Sequence, residues 1–259
     1  MNYLKWKTNK TISVGKFRVP YTENIFEKSN QVVGIRKDSK LKLWFKTILW
    51  PLVKLRDDLL VDGFIKREIG KWIKEFVNED TVFCEVGCGN MSLLRYVPQN
   101  ISYNAFDISF SEFHLRRILK KRNNINVALT LATDIPLETN SVSLVVSTEC
   151  FEHIPEIDKA VSEIYRVAMP GAKLLCSIPN NYCYKYQKKG PHPQHVNNWG
   201  YDEFKKFMSS RGFRFMRGHM KGLWVPLPLW LTKTSYQLSI SSKNSYYDTN
   251  FFYIFEAEK

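Results

Sequence analysis

The stretch STECFEHIPE, residues 147–156, places Glu149, Glu152 and His153 within five residues. It follows an apolar, β-branched run from Val142 to Val146 that only Ser143 interrupts. Two carboxylates and an imidazole just past a buried strand are costly unless they are paired, solvated or used. The types suit two kinds of chemistry. An imidazole with an ordinary pKa near ~6.5 moves protons at neutral pH. Carboxylates and imidazoles together also ligate divalent cations. The segment PHPQHVNNWGYDEF adds His192 and His195 further along the chain.

A second motif lies upstream. The run TVFCEV leads into EVGCGN, where Gly87 and Gly89 flank Cys88 at a strand-to-helix turn. Glycines there let the backbone approach a ligand closely. Gly87 lies 20 residues before Asp107, which ends the next strand. An acidic residue at that distance can bond the ribose hydroxyls of a nucleotide-like cofactor. The dinucleotide fingerprint needs a third glycine, and Ser92 stands there instead.

The elements that must position these residues are strands alternating with helices. Strands are expected at 81–86, 102–107, 125–131, 141–147, 173–178, 213–219 and 251–258, and helices at 109–122, 156–168 and 201–210. Such alternation means right-handed crossovers and a parallel sheet covered on both faces. Phe64, Ile65, Ile69, Trp72, Ile73 and Phe76 mark an earlier amphipathic helix, and residues 41–60 show helical spacing that Pro51 should break. Residues 1–40 are polar and basic with no clear period.

Composition bounds the class. The 259 residues are 44% hydrophobic and 24% charged, as in ordinary globular proteins. No uncharged apolar run reaches the ~18 residues of a membrane span, and MNYLKWKTNK has no apolar core of a secretory signal. Five cysteines without a CxxC pair read as reduced thiols of a cytoplasmic protein. The net charge of +13 is uneven: residues 1–56 hold 13 Lys/Arg against 3 Asp/Glu, residues 57–180 hold 13 against 17, and residues 181–259 hold 12 against 5. The basic ends either meet something anionic or form a solvated surface.

CEVGCGN, AFDIS, ATDIPLETNSVSLVVSTECFEHI and RVAMPGAKLLCSIPN resemble, in order and spacing, the motifs of class I S-adenosylmethionine-dependent methyltransferases. The resemblance is to the type 11 subgroup that contains the ubiquinone-biosynthesis O-methyltransferase. It covers residues 64–217 and the final strand. It implies an α/β, Rossmann-like doubly wound sheet, mostly parallel with an antiparallel final strand, an N-terminal helical extension (1–60) and a cap. The methyltransferase domain is expected over 61–259, with insertions at 180–199 and 219–248.

Carried over residue by residue, the resemblance assigns Glu85, Gly87 and Gly89 to the methionine part of S-adenosylmethionine and Asp107 to its ribose, and it counts Cys88 among the cofactor-binding residues. Asp134 falls to the adenine amino group, with Ile108 and Ile135 against the ring faces. Asp134 also reads as a plain turn residue before Pro136. The end of the fourth strand then faces the transferable methyl, which brings Glu149, Glu152 and His153 to the reaction, with His195 folding back over them. Three readings stay open. His153 or His195 is a general base. Alternatively Glu149, Glu152, His153 and His195 hold Mg²⁺ or Mn²⁺, as in O-methyltransferases with a similar Glu-x-x-Glu-His pattern. In the third reading the cluster is structural, with Glu149 on the cofactor amine.

The leading expectation is O-methylation of a small molecule, sugar or lipid-linked saccharide. RNA ribose 2′-O-methylation is an alternative that the basic ends and NYCYKYQKKG suit. A non-catalytic cofactor-binding partner protein is a third. The apolar segment 222–231, GLWVPLPLWL, is either a loop buried against the sheet or a contact with an anionic membrane surface, which would place the protein at the inner face of the membrane.

Overall fold

The runs rich in Val, Ile, Leu and Phe become strands because each is buried on both faces. In the computed structural model, residues 11–14, 17–22, 34–37, 39, 63–190, 192–225, 236–238 and 240–259 are described. Eight strands form one sheet in the order β11-β10-β12-β9-β8-β4-β5-β7. They are β4 (Phe83–Val86), β5 (Tyr103–Asp107), β7 (Ile125–Leu129), β8 (Val142–Thr148), β9 (Ala168–Pro179), β10 (Phe213–Val225), β11 (Tyr236–Leu238) and β12 (Asp248–Ala257). β4, β5, β7, β8 and β9 are mutually parallel. β12 runs antiparallel to both β9 and β10, as expected of the final strand, and β11 adds a short antiparallel edge.

Helices cover both faces. On one, Phe64, Ile69 and Ile73 of α1 (Gly63–Phe76) and Leu115 of α2 (Glu112–Leu119) pack with Phe83, Tyr103 and Phe252. On the other, α3 (Ile157–Val167) buries Ile157, Ala160, Val161, Ile164 and Val167, a helical stripe. Phe204 and Met208 of α5 (Tyr201–Ser209) join it against Phe251, Tyr253 and Phe255. Burying a side chain of this size contributes about 1.5–3 kcal/mol, so these two clusters fix the strand ends that carry the site.

Four departures from the sequence reading matter. Residues 109–111 are not helical; they form β6 (Ser109–Ser111), which pairs in parallel with β3 (Gly34–Arg36). The polar N-terminal region also contains a hairpin, β1 (Thr11–Val14) with β2 (Phe17–Pro20), whose Val19 is fully buried. β10 does not stop at residue 219, because β12 continues to pair with it as far as Leu223–Asp248. The excursion after β9 carries a short helix, α4 (Tyr184–Lys189). The helical pattern over 41–60 and most of the apolar segment (226–231) lie outside the described residues. No described helix is long and apolar enough to cross a membrane. All five cysteines are free, and all but Cys150 are buried.

Candidate functional site

Strand order reverses beside β4, between β5 and β8, and a crevice opens there at the carboxyl ends of the strands. It is a cavity of about 750 Å³. One wall comes from Asp107, Ile108 and Ser109 after β5, and a second from Thr130 to Thr133 after β7. Gly87 forms the floor, and Glu149, Cys150 and His153 close the far end with Pro193, Gln194 and Val196.

The glycine loop is held by backbone. The N–H groups of Gly87 and Cys88 both donate to the Phe106 carbonyl, at 2.8 and 3.1 Å. Gly87 has φ +74°, and a Cβ there would sit 2.3 Å from the Cys150 Sγ. The position therefore requires glycine twice over, for its left-handed backbone and for the close approach of the loop after β8. Gly89, at φ +50°, has open space where a Cβ would be. Its N–H donates to Asp107 Oδ2 at 2.7 Å, while Asp107 Oδ1 accepts from the Ser109 N–H at 3.0 Å. Burial raises the Asp107 pKa; those backbone donors and the charge of Arg36 oppose it.

Not every assigned residue reaches the cavity. Glu85 lies beneath the loop, 2% exposed, and accepts a hydrogen bond from the Tyr103 hydroxyl. Burial pushes its pKa up to about 8, and Glu85 is not one of the residues that line the cavity. Cys88 points into the core with Leu93 and Phe83. Gly89 acts through Asp107, not as a cavity wall. Ile135 is fully buried in the opposite core cluster, its N–H donating to Glu163 Oε2, so it cannot meet a ring in the cavity. Asp134 stands half-buried just behind the Thr130–Thr133 wall, its carbonyl accepting from the Thr130 hydroxyl. Its neighbours Leu131, Ala132 and Thr133 line the cavity in its stead.

The far end assembles from two distant segments. Residues 151–153 form a short 3₁₀ turn after β8. The carbonyl of Glu152 accepts from the N–H groups of Val196 and Asn197, at 2.8 and 3.1 Å. The Asn197 amide donates to the carbonyls of Phe151 and Ile154. These bonds lay the 192–197 loop over the turn. His153 and His195 come to 5.0 Å between ring centroids, although 41 residues stand between them, and His192 stacks on His195 at 4.5 Å. His153 Nδ1 is 3.0 Å from the Gln194 carbonyl, and His195 Nδ1 is 2.8 Å from Asn181 Oδ1. Each Nδ1 then carries the proton, leaving each Nε2 with a lone pair.

Glu152 is 1% exposed, its Oε1 3.6 Å from His153 Nε2 and its Oε2 buried with no hydrogen-bond partner. Burial, and then the charge of Glu149, drive its pKa well above the usual carboxylate range. His195 shifts the other way: burial, with His153 and His192 nearby, brings it down to about 4, so it is neutral at physiological pH. Ligand atoms of Glu152, His153 and His195 all lie within 4.8 Å of one another. Glu149 does not join them. Its Oε1 accepts from the Ser177 hydroxyl and its Oε2 from the Asn250 amide, both at 2.8 Å. Its φ of +47° turns the side chain to the cavity wall, a backbone cost of about 1 kcal/mol or more that a non-glycine residue bears at functional positions.

Several of these partners carry no signal in sequence. Asn181, Ser177, Asn250 and Gln194 are ordinary polar residues until the chain folds. Gly87 facing Cys150 could have been suspected only from the paired small residues of the two loops.

The cavity fits an elongated molecule with hydroxyls at Asp107, an apolar ring between Ile108 and Leu131, and a polar end at Glu149. S-adenosylmethionine has that layout, and it is the cofactor of the family that this chain matches. Residues 84–176 match the methyltransferase domain family. An uncharacterized methyltransferase, C25B8.09, of Schizosaccharomyces pombe is 34% identical over 112 residues, 41% of this chain and 43% of its own. The chloroplastic tocopherol O-methyltransferase of Arabidopsis thaliana is 29% identical over 131 residues, 47% of this chain and 34% of its own. The chain thus spans less than half the length of these curated relatives. The solved 1,6-didemethyltoxoflavin-N1-methyltransferase of Burkholderia thailandensis, with bound S-adenosylhomocysteine, shares the fold at a TM-score of 0.57 and 11% identity, over 84% of this chain and 88% of its own. Motifs, sheet order and cavity agree with these matches: the chain carries a class I, type 11 S-adenosylmethionine-dependent methyltransferase domain.

Proposed function

We propose that the protein transfers the methyl group of S-adenosylmethionine to a hydroxyl of a small molecule, sugar or lipid-linked saccharide, assisted by a divalent cation on Glu152, His153 and His195. The observation that carries this reading is the convergence of those three residues, one of them a buried carboxylate with an unpartnered oxygen. A buried carboxylate in that state either stays protonated or awaits a cation. The two imidazoles have their Nδ1 atoms engaged by oxygen acceptors, the arrangement that orients histidine ligands.

S-adenosylmethionine, when bound, supplies a sulfonium methyl already activated for displacement. An amine attacks such a methyl as its free base, whereas a hydroxyl must lose its proton during the reaction. A site that collects lone pairs and a buried carboxylate beside the methyl end therefore favours a hydroxyl acceptor. Asp107 would hold the ribose and Glu149 the cofactor amine. Mg²⁺ or Mn²⁺ would lower the pKa of a substrate hydroxyl as a Lewis acid. The loop 192–197 lies against this end through its bonds to Glu152 and His153.

The test is methyl transfer from labelled cofactor to cell fractions, with and without chelator. Chelator should abolish transfer and leave S-adenosylhomocysteine binding intact, and Mg²⁺ or Mn²⁺ should restore it. Full activity in chelator, rising with pH through an apparent pKa of roughly 6–7, would replace the cation by a histidine base.

One observation favours a second acceptor, the ribose of single-stranded RNA. Tyr184 lies 5.7 Å from Tyr246 and 6.3 Å from Tyr247, with Lys188 over its ring, and Tyr186 lies 6.0 Å from His195 with Lys185 over it. Aromatic rings beside lysines can stack bases and meet phosphates. Label in the RNA fraction would select this reading, and label in lipid or soluble sugars the first. A cytoplasmic protein whose basic ends contact an anionic membrane face completes the proposal, and co-sedimentation with anionic but not neutral vesicles is its readout.

A further inference from the structure

The N-terminal segment docks on both walls of the adenosine half of the cavity. β3 lies parallel to β6, with Gly34 opposite Ser109 and Arg36 opposite Ser111. The Gly34 N–H donates to the Ile108 carbonyl at 2.9 Å, one residue past Asp107. Before β3, Tyr21 bridges to Leu129, and the Thr22 N–H donates to the Leu129 carbonyl at 3.1 Å. The hydroxyls of Thr22 and Thr130 meet at 3.1 Å. Two described pieces of the N-terminal region thus brace the site, Gly34–Arg36 at the loop after β5 and Tyr21 with Thr22 at the loop after β7.

Arg36 lies at the end of this brace and lines the cavity with Asp107, Ile108 and Ser109. Arg36 is an exposed residue of β3. Its charge reaches Asp107, lowering that carboxyl's pKa against the effect of burial. The sulfonium of the cofactor is a cation and gains nothing from Arg36. A heteroaromatic ring face does, since a planar guanidinium stacks on it, and so does a ribose held by Asp107.

We infer that Arg36 is a cofactor-binding residue, which closes the adenosine half of the cavity from the N-terminal segment. The assignment rests on S-adenosylmethionine as cofactor and is independent of which acceptor is methylated. It also lies outside the matched stretch 84–176, so this chain completes its cofactor site with residues beyond that stretch.

Calorimetry on the full chain tests it with two ligands, S-adenosylhomocysteine and 5′-methylthioadenosine, which lacks the amino acid. Arg36→Ala should weaken both by the same factor, about 5- to 30-fold, equal to about 1–2 kcal/mol at 1.4 kcal/mol per decade. Arg36→Lys should recover only part of this, because it keeps the charge and loses the plane. Unchanged affinity for both ligands would overturn the inference. So would a loss confined to S-adenosylhomocysteine, which would put the guanidinium on the amino-acid carboxylate. If unliganded Arg36→Ala melts earlier than the parent, Arg36→Gln repeats the test with more of the side chain retained. The hydroxyl-acceptor reading stands or falls separately, on the chelator experiment.

Discussion

At the adenosine end of the cavity the chain offers main chain, one carboxylate, the Arg36 side chain and apolar surface; at the methyl end it offers side chains that meet only after folding. The adenosine end is built where parallel strands stop. Their terminal N–H groups must find partners: Gly87 and Cys88 donate to the Phe106 carbonyl and Thr130 to the Asp107 carbonyl, while Gly89 and Ser109 donate to the Asp107 carboxylate. The methyl end depends on a loop returning from beyond β9, joined to the 151–153 turn by Val196, Asn197 and Gln194. The first end is therefore fixed by the sheet and the second by a seam. Ligand binding and turnover should separate along that line.

The largest effect is expected at the seam. His153→Ala removes a lone pair needed either by a cation or by a substrate proton, and turnover should fall by about 10²–10⁴-fold. Affinity for S-adenosylhomocysteine should change little, since the nucleoside lies at the other end. Titration calorimetry beside initial rates checks both. Normal turnover in this variant would leave Glu152, His153 and His195 as a structural knot, and a large loss of cofactor affinity would abolish the division between the two ends.

Asp107→Ala should show the reverse pattern. Hydrogen bonds to a charged group contribute about 1.5–3 kcal/mol, so S-adenosylhomocysteine should bind roughly 10- to 150-fold more weakly. Turnover at saturating cofactor should stay within a few-fold of the parent. Rates against cofactor concentration separate the two parameters. An unchanged KM for cofactor would remove Asp107 from the ribose.

The same contrast explains what could be read from the sequence. The adenosine end was legible because its chemistry is local: a strand, two glycines at a turn, an acid at the next strand end. Its errors are errors of facing. Glu85 and Ile135 sit in the right motifs, but strand parity turns Glu85 beneath the loop toward Tyr103, and Ile135 belongs to the core below the crevice. The residue types at the methyl end were legible, and so was the meeting of His153 with His195, because their strands are neighbours. The division of labour was not. Glu149 and Glu152 look equivalent in sequence, yet Ser177 and Asn250 engage one while the other keeps an unpartnered oxygen. Arg36 was illegible altogether: no period in residues 1–40 announces a strand, and β3 exists because β6 offers it an edge.

The smallest expected effect lies in that N-terminal brace, at Thr22. Its hydroxyl meets Thr130 in a buried position, with Thr22 5% exposed. Thr22→Val keeps the shape and removes one partner. The Thr130 hydroxyl is not orphaned, because it still donates to the Asp134 carbonyl at 2.5 Å. Without an unsatisfied group the loss should be that of one net hydrogen bond, about 0.5–1.5 kcal/mol, partly offset by the apolar methyl gained. The loop after β7 keeps its backbone bonds to Thr22 and Asp107. Thermal unfolding should therefore shift by a few degrees at most, S-adenosylhomocysteine should bind within about three-fold of the parent, and turnover at saturating cofactor should not change. A loss of cofactor affinity as large as that of Asp107→Ala would mean that the brace, and not the sheet, holds the adenosine wall in place. The contrast between an end fixed by strands and an end fixed by a returning loop would then fail.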